Sequence, residues 1–418
     1  MPYRQFMRAD LLVHRLDRLY TLDPLRPDVV DDPAGPGLGA LADASIAFLN
    51  GAVQWIGAAG DAPDAAHIID GRGLLGLPGL VDCHTHAVWG GSRASEMARR
   101  LAGERYSDLL EAGGGILSTV RATRAASEAE LTEWCSVRLD DMLRRGVTTV
   151  EVKSGYGLSP DDEARLLRAA GAAGTGRVRT VRTFLGAHTV PAELRGRRDA
   201  YVRQVIEEQL PLCAPLCEAI DVYCDRGAFD LDEAVAILSA GRALGLKVRA
   251  HAEQVSHTGI AAAAARLGAT CVDHLERLDE KGVAAMAASG TVATLLPGAQ
   301  LYLRDSPPPV GLLREAGVPF AVATDLNPGS SPLHDLWAAA TLSCILQGLS
   351  LAEAVRGITR NAGLALGRSE LGWLGAGSAA DLALYRPPPG EPAMVDTLVQ
   401  HLQGHQAVAV VRDGRQVI

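Results

Sequence analysis

Apolar residues fall into short runs split by turn residues at both ends of the chain, and into strand-like runs split by longer Ala/Leu-rich stretches in the middle. From Ala9 to about Leu74, the runs Leu11-Leu12-Val13, Ser45-Ile46-Ala47-Phe48-Leu49, Val53-Gln54-Trp55-Ile56 and Ile68-Ile69 read as strands broken at Asn50-Gly51 and Asp70-Gly71. Asn-Gly between two such runs predicts a tight hairpin, since both residues tolerate positive φ. The segment Asp32-Pro33-Ala34-Gly35-Pro36-Gly37 reads as a loop. At the other end, Asp381–Tyr385 and Ala407–Val417 are again strand-like, the second turning at Asp413-Gly414. A few short strands rarely stand alone. Residues 1–74 and 369–418 are therefore expected to pair into one small β-sandwich.

Between them the pattern repeats. Strand-like runs begin at Leu80, Thr148, Val178, Ala219, Lys247, Ala269, Thr291 and Pro319, with helix-period sequence such as Asp161–Ala173, Asp232–Leu244 and Gly259–Leu267 in the gaps. This predicts an α/β fold, a (β/α)₈ TIM-like barrel over residues 75–368. A doubly wound open sheet would more often carry a Gly-rich phosphate loop after its first strand. None follows Leu80-Val81.

Composition narrows the class. At 418 residues and 48% hydrophobic, the chain can fill one large barrel and an accessory unit; with only 4% aromatic residues its core must rest on Ala, Leu, Val and Ile. A net charge of −9 leaves no basic footprint for nucleic acid. Seven scattered cysteines without a CxxC pair read as reduced thiols. Met1–Arg8 lacks the apolar stretch of a signal peptide, and no uncharged run approaches the ~20 residues that span a bilayer. The expectation is a cytoplasmic protein with neither nucleic acid nor membrane as partner.

Barrel enzymes place their chemistry where strands end. The first strand runs out into His84-Thr85-His86, whose alternate residues face one side about 7 Å apart. Two imidazoles aimed at one point make a half-site for a divalent metal. An isolated HxH is as readily a surface pair, but the later strand ends change the balance. They carry Lys153-Ser154-Gly155-Tyr156, His188, His251-Ala252-Glu253-Gln254, Asp273-His274 and Asp325-Leu326-Asn327-Pro328-Gly329. Histidines from several strand ends converging on one rim argue for a site. His14, His67, His257, His334, His401 and His405 read as ordinary surface or supporting residues.

The set His84, His86, His251 and Asp325 resembles the amidohydrolase superfamily, and the likeness covers nearly the whole chain, including Gly377-Ser378-Ala379-Ala380-Asp381-Leu382. A narrower likeness is carried by His84-Thr85-His86, Gly90-Gly91-Ser92-Arg93, Lys153-Ser154-Gly155-Tyr156-Gly157-Leu158, Phe184-Leu185-Gly186-Ala187-His188, His251-Ala252-Glu253-Gln254 and Asp325–Ser331. In order and spacing these resemble the imidazolonepropionase family. The resemblance implies one Zn²⁺ or Fe³⁺ per subunit on His84, His86, His251 and Asp325. It further implies a homodimer that hydrolyses the cyclic amide C–N bond of 4-imidazolone-5-propanoate to N-formimidoyl-L-glutamate in L-histidine degradation.

Roles follow by the same likeness. Asp325 would take a proton from the attacking water, and His274 would orient it or stabilise the oxyanion. Gln254 stands where some members carry Glu; an amide can only hydrogen-bond, so it is assigned to substrate orientation, and proton delivery to the leaving nitrogen falls to Asp325 or His274. Arg93 offers a planar fork for the substrate carboxylate, with Tyr156 and His188 binding the rest. Asn327, Gly329 and Ser330 are expected before a helix starting near Ser331-Pro332, whose free N–H groups would favour an anion. Some relatives carboxylate a strand-end lysine to bridge two metals, but Lys153 matches the one-metal pattern. Tyr106 and Glu253 are pocket or supporting residues. A deaminase or hydantoinase of the same fold is the main competitor, and a purine deaminase would not require the Arg93 clamp. A metal-free binding scaffold would be expected to have lost ligands.

Overall fold

Pro78-Gly79 marks the junction of two eight-stranded sheets in the computed structural model, which describes residues 8–29, 34–103, 114–402 and 404–418. Part of the 32–37 loop, and Tyr106, lie outside the described residues. The first sheet takes β1 (Ala9–Tyr20), β2 (Ala40–Leu49), β3 (Ala52–Ala58), β4 (Ala65–Asp70) and β5 (Leu75–Pro78) from the N-terminal segment. One residue later the chain enters the second sheet. That sheet comprises β6 (Leu80–Asp82), β7 (Val147–Lys153), β8 (Arg179–Ala187), β9 (Ala219–Cys224), β10 (Lys247–Ala252), β11 (Cys271–His274), β12 (Val292–Leu295) and β13 (Phe320–Val322). The chain then returns to the first sheet as β14 (Leu382–Tyr385), β15 (Ala409–Arg412) and β16 (Arg415–Gln416).

The two ends do pair: β14 lies antiparallel to β5, with Leu382 opposite Pro78 and Leu384 opposite Gly76. The sandwich-like unit is hydrogen-bonded as one continuous sheet, in the order β16-β15-β14-β5-β1-β2-β3 with β4 beside β1. Continuity comes from the length of β1, which pairs with β4 through Ala9–His14 and with β5 through Arg18 and Leu19. Its apolar cluster draws on both ends of the chain, joining Leu16, Leu19, Ile46 and Phe48 to Leu382, Leu384 and Val411. The two hairpins close on Asn50-Gly51 (φ 50° and 77°) and Asp413-Gly414 (φ 49° and 73°). Positive φ at both central residues is the turn that matches strand twist.

The second sheet is all parallel, in sequential order from β6 to β13. It closes through a parallel bridge between Thr85 and Leu326, with the His86 N–H donating to Leu326 O at 2.9 Å and the Asp325 N–H to His84 O at 3.0 Å. The helices predicted in the gaps form over Pro160–Ala173, Leu231–Ala243 and Ile260–Arg266. Ser159 and Asp230 cap the first two by accepting from the N3 backbone N–H, each worth about 1 kcal/mol. No helix among the described residues is long and apolar enough to cross a membrane.

Side-chain alternation in the barrel strands is the reverse of a half-exposed sheet. Val150, Val152, Ile220, Val222, Val248, Ala250 and Val272 join the main apolar cluster with the helices. The residues between them, Glu151, Lys153, Asp221, Arg249, His251 and Asp273, are buried and polar. Period-2 geometry puts them on the opposite face, inside the barrel.

The first sheet docks on the barrel through Tyr385, whose hydroxyl donates to Arg145 O at 2.8 Å. The next residue, Gly146, has φ 92°, and a Cβ there would fall 1.8 Å from the Tyr385 oxygen, so the close approach requires glycine. Arg179 adds bonds to Asp381 and Asp413.

Candidate metal centre and its pocket

Four of the predicted residues meet at the closing seam of the barrel. His84 Nε2 lies 3.4 Å from Asp325 Oδ1, His86 Nε2 lies 3.5 Å from the same oxygen, and His251 Nε2 lies 3.4 Å from His86 Nε2. Donors ~2.1 Å from a common centre in a tetrahedron are ~3.4 Å apart, which is the spacing of these three pairs, and His84, His86 and Asp325 offer donor atoms all within 4.8 Å of one another. His84 Nε2 is buried without a hydrogen-bond partner, a state that a metal would relieve. Burial is the main reason that His84 and His86 are held well below the usual imidazole range, and the neutral ring is the metal-binding form. Burial likewise pushes the Asp325 carboxyl up to about 7.

Two carboxylates turn the rings toward that centre. Asp273 takes His84 Nδ1 at 2.8 Å, and Asp221 takes His251 Nδ1 at 3.1 Å. These bonds leave Nε2 of each ring as the ligand atom, the carboxylate–histidine arrangement typical of metal sites. Burial opposes protonation of His251, but Asp221 outweighs it and the net direction is upward.

Beneath both carboxylates sits Lys153, fully buried, with Nζ 2.8 Å from Asp221, 2.9 Å from Glu151 and 3.9 Å from Asp273. Burial opposes its charge, yet Asp221 and Glu151 outweigh this and hold it as ammonium. Arg249 pairs with Glu151 at 2.9 Å. Lys153 is thus engaged by three carboxylates. Sequence reasoning assigned no role to Asp221 or Asp273. The available signal was a carboxylate in the middle of an apolar strand, which is rarely buried unless paired.

The pocket residues occupy the rim. His188 stacks on His86, with ring centroids 5.0 Å apart at 15°, and Tyr156 lies 5.3 Å from His188 and 5.8 Å from His86. His188 Nδ1 is 3.0 Å from Gly155 O, which can only accept, so Nδ1 carries the ring proton. Burial holds His188 down to about 3. The loop bearing Tyr156 is organised by Glu163, which accepts from the N–H groups of Gly155, Gly157 and Leu158 at 2.7–2.8 Å. Nothing in the sequence pattern marked Glu163. Gln254 is buried at the same strand end as His251. Glu253 accepts from the backbone N–H groups of Thr258, Gly259 and Ala261, so it shapes its own loop.

His274 lies beside the centre, its ring 6.0 Å from His84 and 5.4 Å from His251. Arg93 bonds Glu96 at 2.8 Å. It also packs on Gly329, where a Cβ would come within 1.9 Å of its Nη1. The geometry therefore joins Arg93 to the Asp325–Ser331 loop.

One expectation about that loop fails. No helix starts near Ser331-Pro332: the next begins at Leu336, capped by Asp335. The Gly329 and Ser330 N–H groups are not free either, since both donate to Asn327 Oδ1 at 2.8 Å. Asn327 Nδ2 donates to Asp325 O at 2.7 Å. The Asn side chain satisfies its own turn, and so displaces the anion site expected there.

The chain is 52% identical over 355 residues to imidazolonepropionase from Aromatoleum aromaticum, covering 83% of this chain and 86% of the relative. It is 46% identical over 401 residues to imidazolonepropionase from Cupriavidus necator, covering 94% and 93%. The chain belongs to the imidazolonepropionase family. The broader model described as "Amidohydrolase family" matches residues 99–418 of this family member. Among solved structures, a triazine hydrolase from an Arthrobacter species superposes with a TM-score of 0.72 at 19% identity, covering 98% of this chain and 95% of the other. An adenosine deaminase from Xanthomonas campestris with bound zinc gives 0.67 at 18% identity, covering 98% and 93%. At such identity these two establish the barrel fold alone.

Proposed function

We propose that the protein hydrolyses the ring C–N bond of 4-imidazolone-5-propanoate to give N-formimidoyl-L-glutamate, a step of L-histidine degradation. The observation that carries this reading is the likeness to imidazolonepropionases at 46–52% identity over most of both chains. The convergence of His84, His86, His251 and Asp325 supports it chemically. In this reading those four hold one Zn²⁺ or Fe³⁺. Such an ion, when bound, supplies a water whose pKa falls to about 7.

The chain's own groups handle the rest. Asp325 would accept a proton from the attacking water as the water oxygen adds to the ring carbonyl carbon. The same carboxyl then returns the proton to the nitrogen that leaves. His274 faces the developing oxyanion, and Gln254 orients the ring by hydrogen bonding. Arg93 takes the propanoate carboxylate, with Tyr156, His188 and the Asn327-Gly329-Ser330 turn enclosing the remainder. The reading includes a homodimer, on the family likeness, and a cytoplasmic location, on the seven scattered cysteines without a CxxC pair.

The test is the decay of the imidazolone's ultraviolet absorbance on adding protein whose metal has been measured, with His251→Ala as control. Turnover by the wild type and none by the variant is expected. No decay with metal-replete wild type removes the substrate assignment.

A further inference from the structure

Glu276 is the buried carboxyl beside the pocket that the reading above leaves without work. Its Oε2 lies 3.9 Å from His274 Nδ1, with the two side chains 2% and 3% exposed, and neither atom has a hydrogen-bond partner among the described residues. Two buried polar atoms facing each other unsatisfied are uncommon, because each forfeits its bonds to water. The backbone between them is strained as well: His274 has φ 77° and Leu275 φ 78°. Two consecutive non-glycine residues in the left-handed region persist only where the surroundings over-determine them. Their effect here is to fold Glu276 back onto the ring two residues before it. His274 in turn has one nitrogen within 4.8 Å of nitrogens on His84 and His251.

We propose that Glu276 is a positioning residue for His274, its carboxyl hydrogen-bonding Nδ1 and so fixing the ring with Nε2–H turned to the reacting carbonyl oxygen. Burial pushes the Glu276 carboxyl up to about 8. A neutral ring that gives its Nε2–H to the oxyanion keeps Nδ1 as an acceptor, so the carboxyl meets it as the acid, with its O–H donating to Nδ1. An oxyanion donor must present its N–H already aimed, and a lone imidazole has two tautomers to choose from. Glu276 removes the choice. Gln at this position keeps a donor for Nδ1, whereas Leu does not.

The proposal rests on the hydrolase reading of the pocket, and its test separates the two. Wild-type turnover of the imidazolone examines that reading. The ¹⁵N spectrum of histidine-labelled protein, assigned for His274 by difference with His274→Gln, examines Glu276 without any activity. A ring proton on Nε2 in the wild type and its redistribution in Glu276→Leu are expected; Nδ1–H in the wild type overturns the proposal whether or not the variant folds. In kinetics, Glu276→Leu should lower kcat by about 10- to 100-fold with KM within about twofold and metal content unchanged. Glu276→Gln should stay within about threefold of the wild type, and Glu276→Leu should cost little more once His274 is already Gln. Unchanged kcat in Glu276→Leu, or an equal loss in both backgrounds, overturns the assignment.

Discussion

The two eight-stranded sheets of this chain enclose opposite materials. The sheet shared by the two termini surrounds Leu16, Leu19, Phe48, Leu384 and Val411. The barrel surrounds Glu151, Lys153, Asp221, Arg249, Asp273, His84, His86, His251 and His274, all buried. An apolar interior is held by area and fit, tolerates volume-conserving change, and loses stability gradually. A charged interior is held only while every charge keeps its partner. The contrast shows where function can reside: the barrel's strands spend their outer faces on packing, which frees the inner faces for chemistry.

The sharpest way to break this contrast is at Asp325. Its replacement by Asn keeps the volume but, on the proposed reading, turns an anionic ligand into a neutral amide and removes the proton acceptor. Turnover should fall by at least about 10³-fold, read as loss of imidazolone absorbance decay, with the circular dichroism of the first sheet unaltered. Lys153→Met comes next. It leaves Asp221 and Asp273, which turn His251 and His84, without their shared cation. Metal affinity measured by chelator competition should weaken about 10- to 100-fold, and global stability should drop by about 3–5 kcal/mol.

That second variant also marks the limit of what the sequence discloses. His84, His86, His251 and Asp325 were legible because metal-ligand residue types stand at strand ends, where a barrel gathers its chemistry. Asn50-Gly51 and Asp413-Gly414 were legible because few dipeptides serve a tight hairpin. Asp221 and Asp273 offered only a carboxylate within an apolar strand: their meaning lies in which imidazole each meets inside the folded barrel, and a linear pattern holds no distances. Asn327 misled for a related reason. Its side chain can cap its own turn or leave the N–H groups for a ligand, and only the folded loop decides. Glu276 depends on positive φ at His274 and Leu275, which neither residue type suggests.

On the apolar side, Leu19→Ala in the first sheet should cost about 2–5 kcal/mol in denaturant unfolding. The same variant should keep the wild-type kcat per metal-loaded, folded molecule. A large kcat loss would show that the two sheets are coupled more tightly than their separate interiors suggest.

Acid should then tell the two interiors apart within one molecule. Burial holds His188 and His274 down to about 3, while in the unfolded chain an imidazole titrates near 6.5. Below that value the unfolded chain binds protons that the folded barrel refuses, so stability is full above about pH 6.5 and is lost as the pH falls toward 3. Moving from pH 7.5 to 5 should cost roughly 2 kcal/mol for each ring, before coupling between them. His84 and His86 shift in the same direction. His251, raised by Asp221 against its burial, has the opposite sign. So do Asp82 and Asp325, pushed up to about 7 by burial, and Glu276, pushed up to about 8, which offset the loss until about pH 4, where carboxyls of the unfolded chain protonate as well. The apolar cluster of the first sheet contains no imidazole. Backbone hydrogen exchange, corrected for its intrinsic pH dependence, should therefore show protection falling first in β7 to β11 once the pH drops below about 4, with β1 and β2 following only at lower pH. Equal losses in both sheets would mean that they open as one unit, and that the charged interior sets the acid stability of the whole chain.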